Sequence, residues 1–106
     1  MLLFYYQLLQ TNQSPEVIKD FIVVESLIMK VDPQMALTIA HAESKFNPNA
    51  IGDHGTSRGI WQIHLPAHPS VSSENAHDVI YSTEWAMQQL KDGNCKIWTT
   101  CPLFKT

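Results

Sequence analysis

Two phrases decide where this chain of 106 residues can start a helix. In Ser14-Pro15-Glu16 a serine stands at the cap, a proline at the first helical position and an acid in the first turn. The serine oxygen can accept a backbone N–H that a helix start leaves unpaired. The proline has no such N–H to lose, and the acid meets the positive end of the helix dipole. Asp32-Pro33-Gln34 repeats the device. Two helix starts are thus fixed before any apolar pattern is considered.

The apolar patterns agree. Val17, Phe21, Val24 and Ile28 recur at helical spacing, with Ile18 and Ile22 widening the stripe. The first helix is therefore expected over about 15–30, with that stripe as core. A second is expected from Met35 to Lys45, stopped by Asn47-Pro48, since the residue before a proline avoids helical geometry. Ala36, Ile39, Ala40 and Glu43 share one face of it, whereas His41 points elsewhere. Residues 47–57 are rich in Asn, Gly, Asp and Ser and read as a loop. Ile60-Trp61-Gln62-Ile63 reads as a short strand, and Pro66 and Pro69 mark an irregular passage. A third helix is expected from about Ala76 or Asp78 to Leu90, with Val79, Trp85 or Ala86 and Leu90 inward and Gly93 closing it. The tail from Cys95 should fold back on the body.

Length leaves room for one domain over 1–106, and 44% hydrophobic with 16% charged residues is the balance of a soluble globular protein. A net charge of −3 provides no basic footprint and argues against a nucleic-acid partner. The apolar start, Met1 to Gln10, has no positively charged region and no small-residue cleavage site, so it reads as a first helix or strand packing on the core. It is also far short of the roughly 20 residues that span a bilayer. Cys95 and Cys101 lack the spacing and number of a zinc site and fit a small-loop disulfide, with two free thiols as the alternative. A disulfide would place the protein outside the cytosol, in an extracellular or periplasmic setting.

Glu43 is the residue with the sharpest chemistry. A glutamate near a helix C-terminus on an apolar face loses water and meets the negative end of the dipole, and both effects favour its neutral form. A carboxylic acid kept protonated near pH 6 can protonate a glycosidic oxygen. The plain alternative is a solvated side chain pairing with Lys45 or Arg58.

Ala40-His41-Ala42-Glu43-Ser44-Lys45-Phe46-Asn47-Pro48, followed by Gly55-Thr56-Ser57-Arg58-Gly59-Ile60-Trp61-Gln62-Ile63, resembles the lytic transglycosylase SLT family. The likeness spans roughly residues 20–93. It implies an α+β, mostly α, lysozyme-like fold with a small strand element beside a substrate groove. It also implies a single catalytic carboxylate: Glu43 as acid and then base, acting on the β-1,4 bond between N-acetylmuramic acid and N-acetylglucosamine in peptidoglycan and leaving 1,6-anhydromuramic ends. By the same resemblance Ser44 supports the helix end, Ser57 and Gly59 form the turn that lets the backbone approach the sugar, and Gln62 lines the groove. Ile63 and His64 beside it are read as groove residues from their own position, His64 in a structural or sugar-contacting role. Three departures are visible. Ile51-Gly52-Asp53 stands where the family often has a hydroxyl residue, Ile63-His64-Leu65-Pro66 replaces the commoner Met-Pro ending, and the Ala-Tyr-Asn segment is absent. The aromatic that closes the groove must then come from Tyr81, Trp85 or Trp98, or be missing.

Other readings fit some of the same residues. A hydrolytic muramidase would use a second acid such as Asp53 to orient water. A wall-binding module would keep the fold without turnover, and would not need Glu43. Gly55-Thr56-Ser57-Arg58-Gly59 fits the serine-hydrolase pattern GxSxG but follows a loop, and no parallel α/β units surround it. His64 and His68 stand four apart, yet Pro66 between them forbids the helix that zinc would need, so no metal and no cofactor is expected. Trp61 reads equally as core or as a stacking platform. The expected partner is the glycan strand itself, met by a monomer.

Overall fold

A computed structural model describes residues 2–101. The N-terminal segment is helix α1 (Leu2–Leu8), and its Tyr5 and Tyr6 pack on Phe21 with ring centroids 6.3 and 6.1 Å away. Helix α2 (Pro15–Met29) begins where Ser14 Oγ accepts the Val17 N–H at 3.4 Å. Helix α3 (Pro33–Ser44) begins where Asp32 Oδ1 accepts the Gln34 N–H at 2.9 Å. Each ends on a lysine in the left-handed region, Lys30 at φ 61° and Lys45 at φ 55°. That conformation cannot continue a helix, so the chain turns sharply at both points.

The buried face of α2 differs from the expected one. Ile18, Phe21, Ile22, Glu25 and Ser26 face the core, while Leu27 and Ile28 are exposed. A glutamate at an inward position is the reason the phase was misread. Glu25 lies against Glu84 on helix α5 (Val79–Lys91), and Tyr6 Oη donates to Glu84 Oε2 at 2.8 Å. Burial, then the Glu84 charge, pushes the Glu25 carboxyl up, and the bond to Glu84 pushes the Tyr6 hydroxyl up to about 12. Two carboxyls this close are best accommodated with a proton retained.

The sheet also departs from expectation. Its three antiparallel strands are β1 (Ile51–Gly52), β2 (Ser57–Arg58) and β3 (Ile63–His64), in that order. The first lies inside the stretch read as loop. Ile60, Trp61 and Gln62 form the turn between β2 and β3, closed by the Gln62 N–H on the Gly59 carbonyl at 3.1 Å. The expected third helix is two, α4 (Ser73–His77) and α5, parted at Asp78, whose Oδ1 accepts the Tyr81 N–H at 2.8 Å and so caps α5. Ile39, Ala40, Ile60, Trp61, Ala86 and Met87 join the α2 residues in the core. Among the described residues no helix is long and apolar enough to cross a membrane.

Gly59 joins sheet to helix. Its φ is 81°, and an added Cβ would strike the Ala76 carbonyl oxygen of α4. Left-handed geometry costs an L-residue about 1–2 kcal/mol and forced overpacking about as much again. Gly59→Ala should therefore lose about 3 kcal/mol, seen as a melting temperature lowered by roughly 10–20 °C. A drop below about 3 °C would mean that α4 moves aside freely.

Candidate active site

Glu43 stands in the last turn of α3, half-buried. The helix end is held in place by its neighbour: Ser44 Oγ donates to the Ile60 carbonyl at 2.7 Å and also reaches the Ala40 carbonyl at 3.3 Å. The turn after β2 is thereby tied to the end of α3. Gln62, at φ 47°, aims its amide back into the hairpin, donating to the Ala50 and Gly59 carbonyls at 3.2 and 3.0 Å. Gly52 makes room for it, since a Cβ there would meet Gln62 Oε1. Gln62 thus braces the groove wall as well as lining it.

These elements enclose a groove of about 480 Å³, a size that suits a ligand of a few rings. Glu43, Asp53, Ser57, Gln62 and His64 line it from the α3 and sheet side. Ala67 and His68 flank it, and Ile97, Trp98 and Thr99 close the far wall. Asp53 is in the left-handed region at φ 51°, in the 3-10 turn Asp53–Gly55 between β1 and β2. Its Oδ2 accepts from the buried Ser57 hydroxyl at 2.5 Å. Burial, and then the negative charge of Asp53, pushes the Glu43 carboxyl above the usual range. A raised acid beside a fixed carboxylate, in one groove, is an arrangement that can give up a proton and then steady positive charge.

Residues 29–100 match the family described as Lysozyme like domain. The chain belongs to that family. No curated protein and no solved structure matches it significantly. The matched span runs from the end of α2 through Thr100 and so includes every residue of the groove. At the level of the superfamily, membership supports cleavage of peptidoglycan-related glycan.

In this lysozyme-like domain the aromatic residues fall into different places. Trp61 is fully buried, its indole N–H on Thr83 Oγ1 at 3.1 Å. Trp85 packs between His68 and Trp98, with centroids 4.9 and 6.2 Å away, and Tyr81 is exposed on α5; neither lines the groove. Trp98 does, from the tail, with its indole N–H on the Trp61 carbonyl at 2.9 Å. Ile63 is buried behind the wall. The GxSxG serine is only 1% exposed and donates to Asp53, so it is not placed as a nucleophile. Among the described residues no group of three or more His, Cys, Asp or Glu could share a metal ion.

Sequence reasoning missed Ala67, Ile97 and Thr99 as lining residues and gave His68 no groove role. The tail wall had one usable signal, the short Cys95-to-Cys101 loop with a tryptophan inside it. Cys95 and Cys101 are joined, with Cα atoms 5.4 Å apart. A loop this short removes about 2 kcal/mol of unfolded-state entropy in the ideal chain treatment. Reduction should lower the melting temperature by roughly 10 °C and weaken glycan binding more than it slows the bound reaction. Two thiols titrating in a denatured, unreduced sample would rule the bridge out.

Proposed function

We propose that the lysozyme-like domain cleaves the β-1,4 bond between N-acetylmuramic acid and N-acetylglucosamine, with Glu43 as the proton donor. The observation that carries this is a half-buried carboxyl with raised proton affinity, the one acid that α3 delivers into the groove. Glu43 protonates the leaving oxygen while the glycosidic carbon takes on oxocarbenium character. Its proton is gone at that point, so it becomes the base for the second half.

Two routes complete the reaction. In the first, Glu43 alone takes the proton of the sugar's own 6-hydroxyl, which closes a ring and leaves a 1,6-anhydro end; the resemblance to the SLT transglycosylases supports it. In the second, a water attacks and leaves a reducing end. Asp53 favours the second, because it lines the same groove with its carboxylate already pinned by Ser57 and able to orient water. Mass spectrometry of digested peptidoglycan separates them: anhydro ends for the first, reducing ends for the second. No cleavage of any glycan would leave the binding-module reading. The disulfide and the substrate together support an extracellular or periplasmic site of action.

A further inference from the structure

Ser57 and His64 are cross-strand partners on β2 and β3, and Gly52 of β1 pairs with the same Ser57. With glycine on the β1 side, nothing from that strand covers the serine. Its Oγ meets two groups: Asp53 Oδ2 at 2.5 Å and His64 Nδ1 at 3.4 Å. A serine hydroxyl has a single proton to give. If that proton went to His64, the serine oxygen and the Asp53 carboxylate would be two acceptors at 2.5 Å, which is repulsive. The proton therefore goes to Asp53, and the hydrogen in the other contact must be carried by His64 Nδ1. The chain has one direction, from imidazole to hydroxyl to carboxylate, and each link supports the next.

We infer that His64 is a positioning residue for the cleavage reaction: through Ser57 it fixes the Asp53 carboxylate in the groove that Glu43 also lines. This rests on the reading that Glu43 is the acid. His64 is exposed at the groove, whereas Ser57 is 1% exposed behind it. With the row intact, Asp53 is held where its charge helps Glu43 keep its proton. Without it, Asp53 is free to turn to solvent and Glu43 ionises at lower pH.

The charged and titratable groups around this row come from each adjoining element. Glu43 faces it from α3, and Asp53 and the exposed His54 belong to the turn before β2. His68 follows β3, and burial first and His64 second push it down. Arg58, next to Ser57, spends its Nε on the Gly55 carbonyl at 2.9 Å.

The test is the pH dependence of kcat on peptidoglycan for the parent, His64→Ala, His64→Asn and Ser57→Ala, with Glu43→Gln alongside. Asparagine can supply the same N–H at the position of Nδ1, and alanine cannot. His64→Ala and Ser57→Ala should both move the alkaline limb to lower pH, since Asp53 is then released to solvent, and His64→Asn should restore it to the parent's position. The position of the limb is the readout, because a purely structural role changes its height alone. A His64→Ala limb that overlays the parent's, with Glu43→Gln inactive, overturns this positioning role and leaves the proposed function standing. A limb that moves in His64→Ala but not in Ser57→Ala overturns the route through the serine. An active Glu43→Gln overturns the proposed function itself.

Discussion

Glu43→Gln should leave the fold intact and lower the rate by about three orders of magnitude, because an amide can neither donate nor recover the proton and general acid–base catalysis contributes about that much. The side chain is half-buried and makes no side-chain hydrogen bond among the described residues, so a near-isosteric amide fits. A variant keeping more than a tenth of the rate would remove Glu43 from the mechanism. Stability provides an independent check. The folded state holds the Glu43 proton more tightly than the unfolded chain, through burial first and Asp53 second. That contribution is complete below the unfolded value, about 4.3 for a glutamate, and is lost as pH rises through the raised folded value. The amide has no proton to lose. Parent and variant melting temperatures should therefore diverge as pH increases, in favour of the variant. Activity follows the same group, so the rate should peak on the acid side of neutrality and fall as Glu43 ionises. A rate still climbing at pH 9 would end the proposal.

Asp53→Asn separates the two chemical routes and has the second large effect. If Asp53 orients an attacking water, its loss should slow cleavage by about a hundredfold or more, within the usual range for a general base, and reducing-end products should vanish. If Glu43 works alone, anhydro products should persist at a rate within a few fold of the parent. In both cases the alkaline limb should shift to lower pH, since the charge that helps Glu43 keep its proton is gone. An unchanged limb would mean that burial alone sets the acid. Measuring products and pH profile on the same samples keeps the two effects apart.

The parts of this fold legible in the sequence were those governed by local chemistry. Ser14 and Asp32 cap their helices because a short polar side chain before proline has one favourable role there. Glu43 could be placed on the inner edge of α3 because Ala36, Ile39 and Ala40, all buried, set the phase. The phase of α2 was lost for the opposite reason: Glu25 and Ser26 occupy inward positions, where Glu25 meets Glu84, distant in sequence, and Ser26 donates to the Val23 carbonyl of its own helix. Strand β1 was hidden because two residues, Ile51 and Gly52, carry no periodicity, and pairing with β2 is what makes them a strand. Ser57, Gln62 and His64, which line the groove, flank the turn that holds Gly59, and that turn has local sequence chemistry. Trp98 stood among three candidate aromatics, but Ile97 and Thr99 beside it were not legible, since the wall's position follows from the Trp98 bond to the Trp61 carbonyl, a contact set by tertiary packing.

That wall also has an order in time. The acid, the hairpin and the flanking turn are all synthesised before the segment that closes the groove over them. A chain emerging from the ribosome carries Glu43 for the whole span through Ala67 and α5 without an opposite wall to hold a sugar against it. The Cys95–Cys101 bridge spans that same last segment, so the wall also gains its covalent tie last, once an oxidising surrounding joins the two sulfurs.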